Sequence, residues 1–154
     1  MNHEKFQKHL QESMRGVEIV ATWLKAKGYE IQVPETKVAP THEQWREYAD
    51  HGDLFIKQRI EVKQLGINFS HAGDWLYAPR YIVCAKHSFD RADHKPHAYV
   101  HLSKDGKHAG IVYTSSRSRW YVDTVKDSRY QDYAQECYLA KLSDVKFISL
   151  EEKK

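Results

Sequence analysis

The chain has 154 residues, with 24 Lys and Arg against 21 Asp and Glu, so its formal charge is +3 with the ten histidines neutral. A chain of this length is expected to form a single domain over residues 1–154 and to bury roughly 70% of its unfolded surface. At 41% hydrophobic and 29% charged residues, the composition excludes disordered, collagen-like and disulfide-stapled chains. Apolar runs such as Tyr81 to Ala85 fall far short of the about 20 residues of a bilayer-spanning helix, so no membrane association is expected. The opening Met1-Asn2-His3-Glu4-Lys5 lacks the pattern of a secretory signal, and Cys84 and Cys137 read as reduced, largely buried thiols. Both features lead to a cytoplasmic expectation.

In chain order, Phe6, Leu10, Met14, Val17, Val20, Ala21 and Leu24 recur at helical spacing, predicting an amphipathic helix over Phe6 to Lys27 that Gly28 stops. Gly16 is a weak point inside it. Tyr29 to Val33 alternates as a strand ended by Pro34. Thr41 and Gln44 form a capping box for a short helix through Trp45 and Tyr48, with Gly52 ending it. Asp53 to Leu65 reads as two strands joined by a tight turn, and Gly66 to Gly73 as loop. Tyr81 to Ala85 has the character of a central strand covered on both faces. Tyr99 to Ser103 and His108 to Thr114 flank Asp105-Gly106, a strong hairpin signal. Trp120 to Val125 alternates as a strand, Tyr130 to Tyr138 reads as a helix, and Val145 to Leu150 as a closing strand. The order predicts a mixed α/β sheet sandwich.

The stretch from Gly52 to Gln64 carries the chemistry. If its two strands are antiparallel, Leu54, Ile56, Ile60 and Val62 must share the buried face, since a one-residue slip would send them into water. That parity places Asp53 with Glu61 and Lys63 on the other face. A three-residue turn at Lys57-Gln58-Arg59 would set Asp53 opposite Lys63, although no glycine favours that turn and the register stays open. Two adjacent carboxylates repel unless a cation joins them, and oxygen donors suit Mg²⁺ or Mn²⁺. Lys63 would orient or deprotonate a water and stabilise developing negative charge, a set that fits phosphodiester hydrolysis.

Asp53, seven intervening residues and then Glu61-Val62-Lys63 resemble the D…ExK signature of the PD-(D/E)xK nuclease superfamily. The preceding helix and strand resemble that family's element order too. The resemblance covers about residues 15–86; Gly52 stands where the eponymous proline would be. It implies a restriction endonuclease-like mixed central sheet flanked by helices, with an added C-terminal hairpin region and accessory elements over 97–150. It also implies that Asp53, Glu61 and the Val62 carbonyl hold the metal, that Lys63 is the water-positioning base, and that Glu18 on the helix assists, with Glu12 a lesser choice. The expected activity is a Mg²⁺-dependent deoxyribonuclease, an endonuclease rather than an exonuclease, acting on DNA and, by analogy, as a homodimer.

Arg15, Lys57 and Arg59 would extend a positive groove, and Arg117 and Arg119 would put two guanidiniums on one strand face for phosphate tracking. Phe69, Trp75 and Tyr77 would either contact nucleic acid or belong to the core. Cys84, His87, His94 and His97 have zinc-like spacing, although Cys84 sits in an apolar strand. The bland alternative for Asp53, Glu61 and Lys63 is a solvated strand face with an ion pair. A second functional class is a module on the same fold that binds nucleic acid or protein without cutting.

Overall fold

The computed structural model describes residues 3–35, 53–126 and 133–151. They fall into two compact units that divide between Gln58 and Arg59.

In the first unit, α1 (His3–Ala26) has Glu4 in its first turn and Lys25 in its last, each matched to the helix dipole. It runs through Gly16, where a glycine costs about 1 kcal/mol relative to alanine. Gly28 then takes φ +91, its N–H donating to the Lys25 carbonyl at 2.9 Å and that of Tyr29 to Leu24 at 3.2 Å, so the helix ends as the glycine predicts. β1 (Glu30–Gln32) pairs antiparallel with β2 (Phe55–Lys57), Glu30 facing Lys57. The short helix expected around Thr41 to Tyr48 lies outside the described residues.

The second unit contains β3 (Ile60–Gln64), β4 (Tyr81–Ala85), α2 (Lys86–Arg91), β5 (Ala98–Leu102), β6 (His108–Tyr113), β7 (Tyr121–Lys126), β8 (Ala134–Ala140) and β9 (Lys146–Ser149). One sheet has four strands in the order β3-β5-β6-β9, and another has three in the order β4-β8-β7. The described residues are thus mixed α/β with three sheets. No helix among them is long and apolar enough to cross a membrane.

Three expectations about elements are corrected here. The strands of residues 53–65 do not form a hairpin: β2 pairs with β1, and β3 runs parallel to β5. Lys57-Gln58-Arg59 lacks any residue suited to a tight hairpin turn, so nothing local enforces that pairing. Of the helix expected over Tyr130 to Tyr138, residues 130–132 lie outside the described residues, and from Ala134 on the segment is instead β8, bonded to β4 on one side and β7 on the other. Its run from Cys137 to Ala140 is buried at every position, the continuous pattern of a strand covered on both faces. β4, expected in that central place, is a terminal strand among the described residues, and Ile82 is 41% exposed.

The β5–β6 hairpin forms as expected, with Gly106 at φ +73 in its turn. The buried Ser103 hydroxyl donates to Asp105 at 2.6 Å and accepts the His108 N–H at 3.1 Å. The core collects Phe69, Trp75, Tyr81, Tyr99, Trp120 and Tyr138 with smaller aliphatic residues. Rings meet mainly edge-on, as in Phe69–Trp75 at 5.1 Å and Phe89–Tyr138 at 5.5 Å, the arrangement their quadrupoles favour.

Candidate functional site

The parallel pairing of β3 with β5 sets Glu61 beside Tyr99 and Lys63 beside His101. Paired residues share a sheet face, so Glu61 and Lys63 lie on the side of two buried residues, Tyr99 and His101. Ile60 and Val62 take the opposite side and are 45% and 65% exposed. This reverses the expected parity, in which Ile60 and Val62 were to be buried. The apolar residues of β3 follow the partner strand, not the alternation of the segment itself. Ile56 on β2 is likewise exposed, at 45%.

Glu61 and Lys63 line a cleft of about 1000 Å³, bordered by β3, β4, the Trp75–Arg80 segment, Tyr99 and His101 of β5, and residues of β7 and β8. Arg59 also lines it, donating to the Glu61 carboxylate and, at 3.2 Å, to the His94 carbonyl. Both side chains of the Arg59–Glu61 pair are nearly half exposed, so water screens it to about 1 kcal/mol or less. The His101 ring lies 2.7 Å, through Nδ1, from the Tyr81 hydroxyl. Burial, and after it the Lys63 charge, lowers the His101 pKa to about 4, against a hydrogen bond to the Val83 backbone. His101 is therefore a neutral imidazole next to the ammonium at neutral pH. Burial pushes the Cys84 thiol up to about 11 and raises that of Cys137, with Lys63 and Arg80 opposing the latter. Neither thiol is activated as a nucleophile.

The structure brings Arg59, Glu61 and Lys63 together in the second unit. Arg15, Glu18, Asp53 and Lys57 belong to the first. Arg15, Glu18 and Asp53 are exposed there, and Lys57 reaches Glu30 at 3.3 Å. Arg117 and Arg119 sit in a 3₁₀ turn, Thr114–Arg119, rather than on a strand face. Arg117 stacks 4.0 Å from the Tyr138 ring centroid and Arg119 pairs with Asp144 at 2.9 Å, and neither lines the cleft. Phe69 and Trp75 are core residues, whereas Tyr77 is 55% exposed at the cleft. Arg80, Lys126 and His101 also line it; no local pattern marks them, because strands distant in sequence assemble the cleft.

No group of three or more His, Cys, Asp or Glu among the described residues is placed to hold a metal ion, and this includes Cys84, His87, His94 and His97. The donors that the resemblance names, the Asp53 and Glu61 carboxylates and the Val62 carbonyl, are all oxygen, a chemistry that fits Mg²⁺ or Mn²⁺ better than zinc. No protein-family model, curated protein or solved structure matches the chain.

Proposed function

We propose that the protein is a metal-dependent nuclease of the PD-(D/E)xK type, on a restriction endonuclease-like version of the mixed α/β fold. It hydrolyses phosphodiester bonds in DNA by attack of water, as an endonuclease, with no covalent intermediate. One observation carries this reading: Glu61 and Lys63 of the ExK motif share a face of β3 and line a cleft, with Arg59 beside them. Asp53 and Glu18 enter it through the sequence resemblance alone. The free Cys84 and Cys137 thiols suit a reducing cytoplasm.

Asp53, Glu61 and the Val62 carbonyl would hold Mg²⁺ or Mn²⁺, which supplies Lewis-acid polarisation of the phosphate and a more acidic bound water. Lys63 orients the attacking water and, as a cation, stabilises the charge that develops on the phosphate oxygens. Neutral His101 adds no competing positive charge next to it. Arg59, released from Glu61, is free to meet the substrate phosphate.

The test is incubation of circular and linear DNA with Mg²⁺ or with EDTA. Cutting is expected with Mg²⁺ only, and Lys63→Ala or Asp53→Ala should lower its rate by about 10²- to 10³-fold in a folded protein. Retained cutting by both variants defeats the assignment. The Glu61 carboxylate is engaged by Arg59, and this favours a second reading, a module that binds nucleic acid without cutting. Mn²⁺ titration separates the two, since the binder would show no Asp53-dependent affinity for the ion.

A further inference from the structure

The cleft beside β3 is built for more than the hydrolytic step. Four basic side chains line it, Arg59, Lys63, Arg80 and Lys126, against a single acidic one, Glu61. Glu61 holds Arg59, and Asp123 holds Arg80 at 2.7 Å. Lys63 and Lys126 have no ion pair among the described residues. Their free charge is complementary to a chain of phosphates.

Tyr77 adds an aromatic face. Its half-exposed ring stands edge-on to buried Trp75, with centroids 5.8 Å apart. Trp75 is itself fixed, its indole N–H donating to the Arg80 carbonyl at 2.8 Å and its ring lying 4.7 Å from that of Tyr81. Upstream, Asp74 accepts hydrogen bonds from the Ser70 amide, the Ser70 hydroxyl and the His71 amide. Tyr77 is thus presented on a rigid support, so little ordering entropy is lost when something stacks on it. A base offers its flat face to such a ring only when it is unpaired and unstacked, because inside a duplex its neighbours cover that face. A cleft of about 1000 Å³ is also the size of a large small-molecule site, a scale that suits single bases and their phosphates.

We infer that the cleft holds an unpaired stretch of DNA, with Tyr77 stacked on a base and Lys63 and Lys126 on phosphates. The substrate of the proposed nuclease is then single-stranded DNA or a single-stranded segment rather than intact duplex. The inference rests on the nuclease reading for cutting, but not for binding.

The experiment measures the full chain in EDTA against a short fluorescein-labelled oligothymidylate and a duplex of equal length, by fluorescence anisotropy. The single strand should bind at least about tenfold more tightly. Tyr77→Ala should weaken single-strand binding by about 5- to 100-fold, and Tyr77→Phe should restore it. Lys126→Ala, on a different strand of the fold, should weaken it and reduce the slope of log affinity against log salt by about 0.7. Equal or tighter duplex binding overturns the inference. So does unchanged binding by both Tyr77→Ala and Lys126→Ala in variants whose circular dichroism shows the native fold. Cleavage in Mg²⁺ is scored separately. Single-strand preference without any cutting supports this occupant and defeats the nuclease, whereas duplex cutting with no single-strand preference does the reverse.

Discussion

Gly110 has no side chain because the Tyr81 hydroxyl occupies the space one would need. A Cβ built at Gly110 meets that oxygen at 2.5 Å, with Tyr81 Cζ and Val145 Cγ1 both at 3.3 Å. The hydroxyl is not free to move away, since it is bonded to the buried His101 ring. Gly110→Ala should therefore lower stability by about 1–3 kcal/mol, read as a fall in the denaturant midpoint. Adding Tyr81→Phe removes the closest clash, so the double variant should lose less than the sum of the two single losses. Strict additivity would show that the contact is not the cause. None of this is legible in His108-Ala109-Gly110-Ile111, where the glycine interrupts a strand with no visible reason. Gly28 and Gly106, by contrast, announce themselves, because their positive φ values answer to a helix end and an Asp-Gly turn close by in sequence.

At the scale of elements, the same division holds. The body of α1, the strand at Tyr81 to Ala85 and the β5–β6 hairpin were readable because helical spacing, a short apolar run and a turn dipeptide are local signals. The pairing of β3 was not, because it depends on which strand lies alongside. Alternation in Ile60-Glu61-Val62-Lys63 is compatible with either face being inward, and β5 selects the one bearing Glu61 and Lys63. The β8 segment reads as helix for a related reason: at the centre of its sheet it needs no alternation, so no two-residue period marks it as a strand. The reversed parity can be tested at Val62, which is 65% exposed. Val62→Thr should change stability by less than about 0.5 kcal/mol, as for other surface positions. A valine buried in the expected hairpin would instead lose on the order of 1 kcal/mol or more when a hydroxyl replaces its methyl group without a partner. Urea titration of the two proteins distinguishes these outcomes.

For the molecule as a whole, the decisive feature is that the aromatic core and the proposed chemistry have different extents along the chain. Every residue of the core cluster, with the side chains packed on it, lies between Leu65 and Phe147, inside the second unit. Arg59, Glu61, Lys63 and every other described residue that lines the cleft also belong there. Asp53 and Glu18, which the D…ExK resemblance makes catalytic, do not. The motif was legible because the ExK triplet is contiguous, whereas the cleft was not, because Tyr77, Arg80 and Lys126 reach it from separate segments. A fragment beginning at Arg59 should consequently unfold cooperatively and keep the near-ultraviolet circular dichroism of its packed Trp75 and Trp120, since every residue of the described core cluster lies within it. It should also keep its affinity for single-stranded DNA, because every described residue that lines the cleft lies within it. It should lose Mg²⁺-dependent cutting entirely, because one carboxylate and a carbonyl supply too few oxygens to hold a divalent ion for catalysis. If the fragment cuts DNA, the metal site must be assembled within the second unit alone, and the role assigned to Asp53 falls with it.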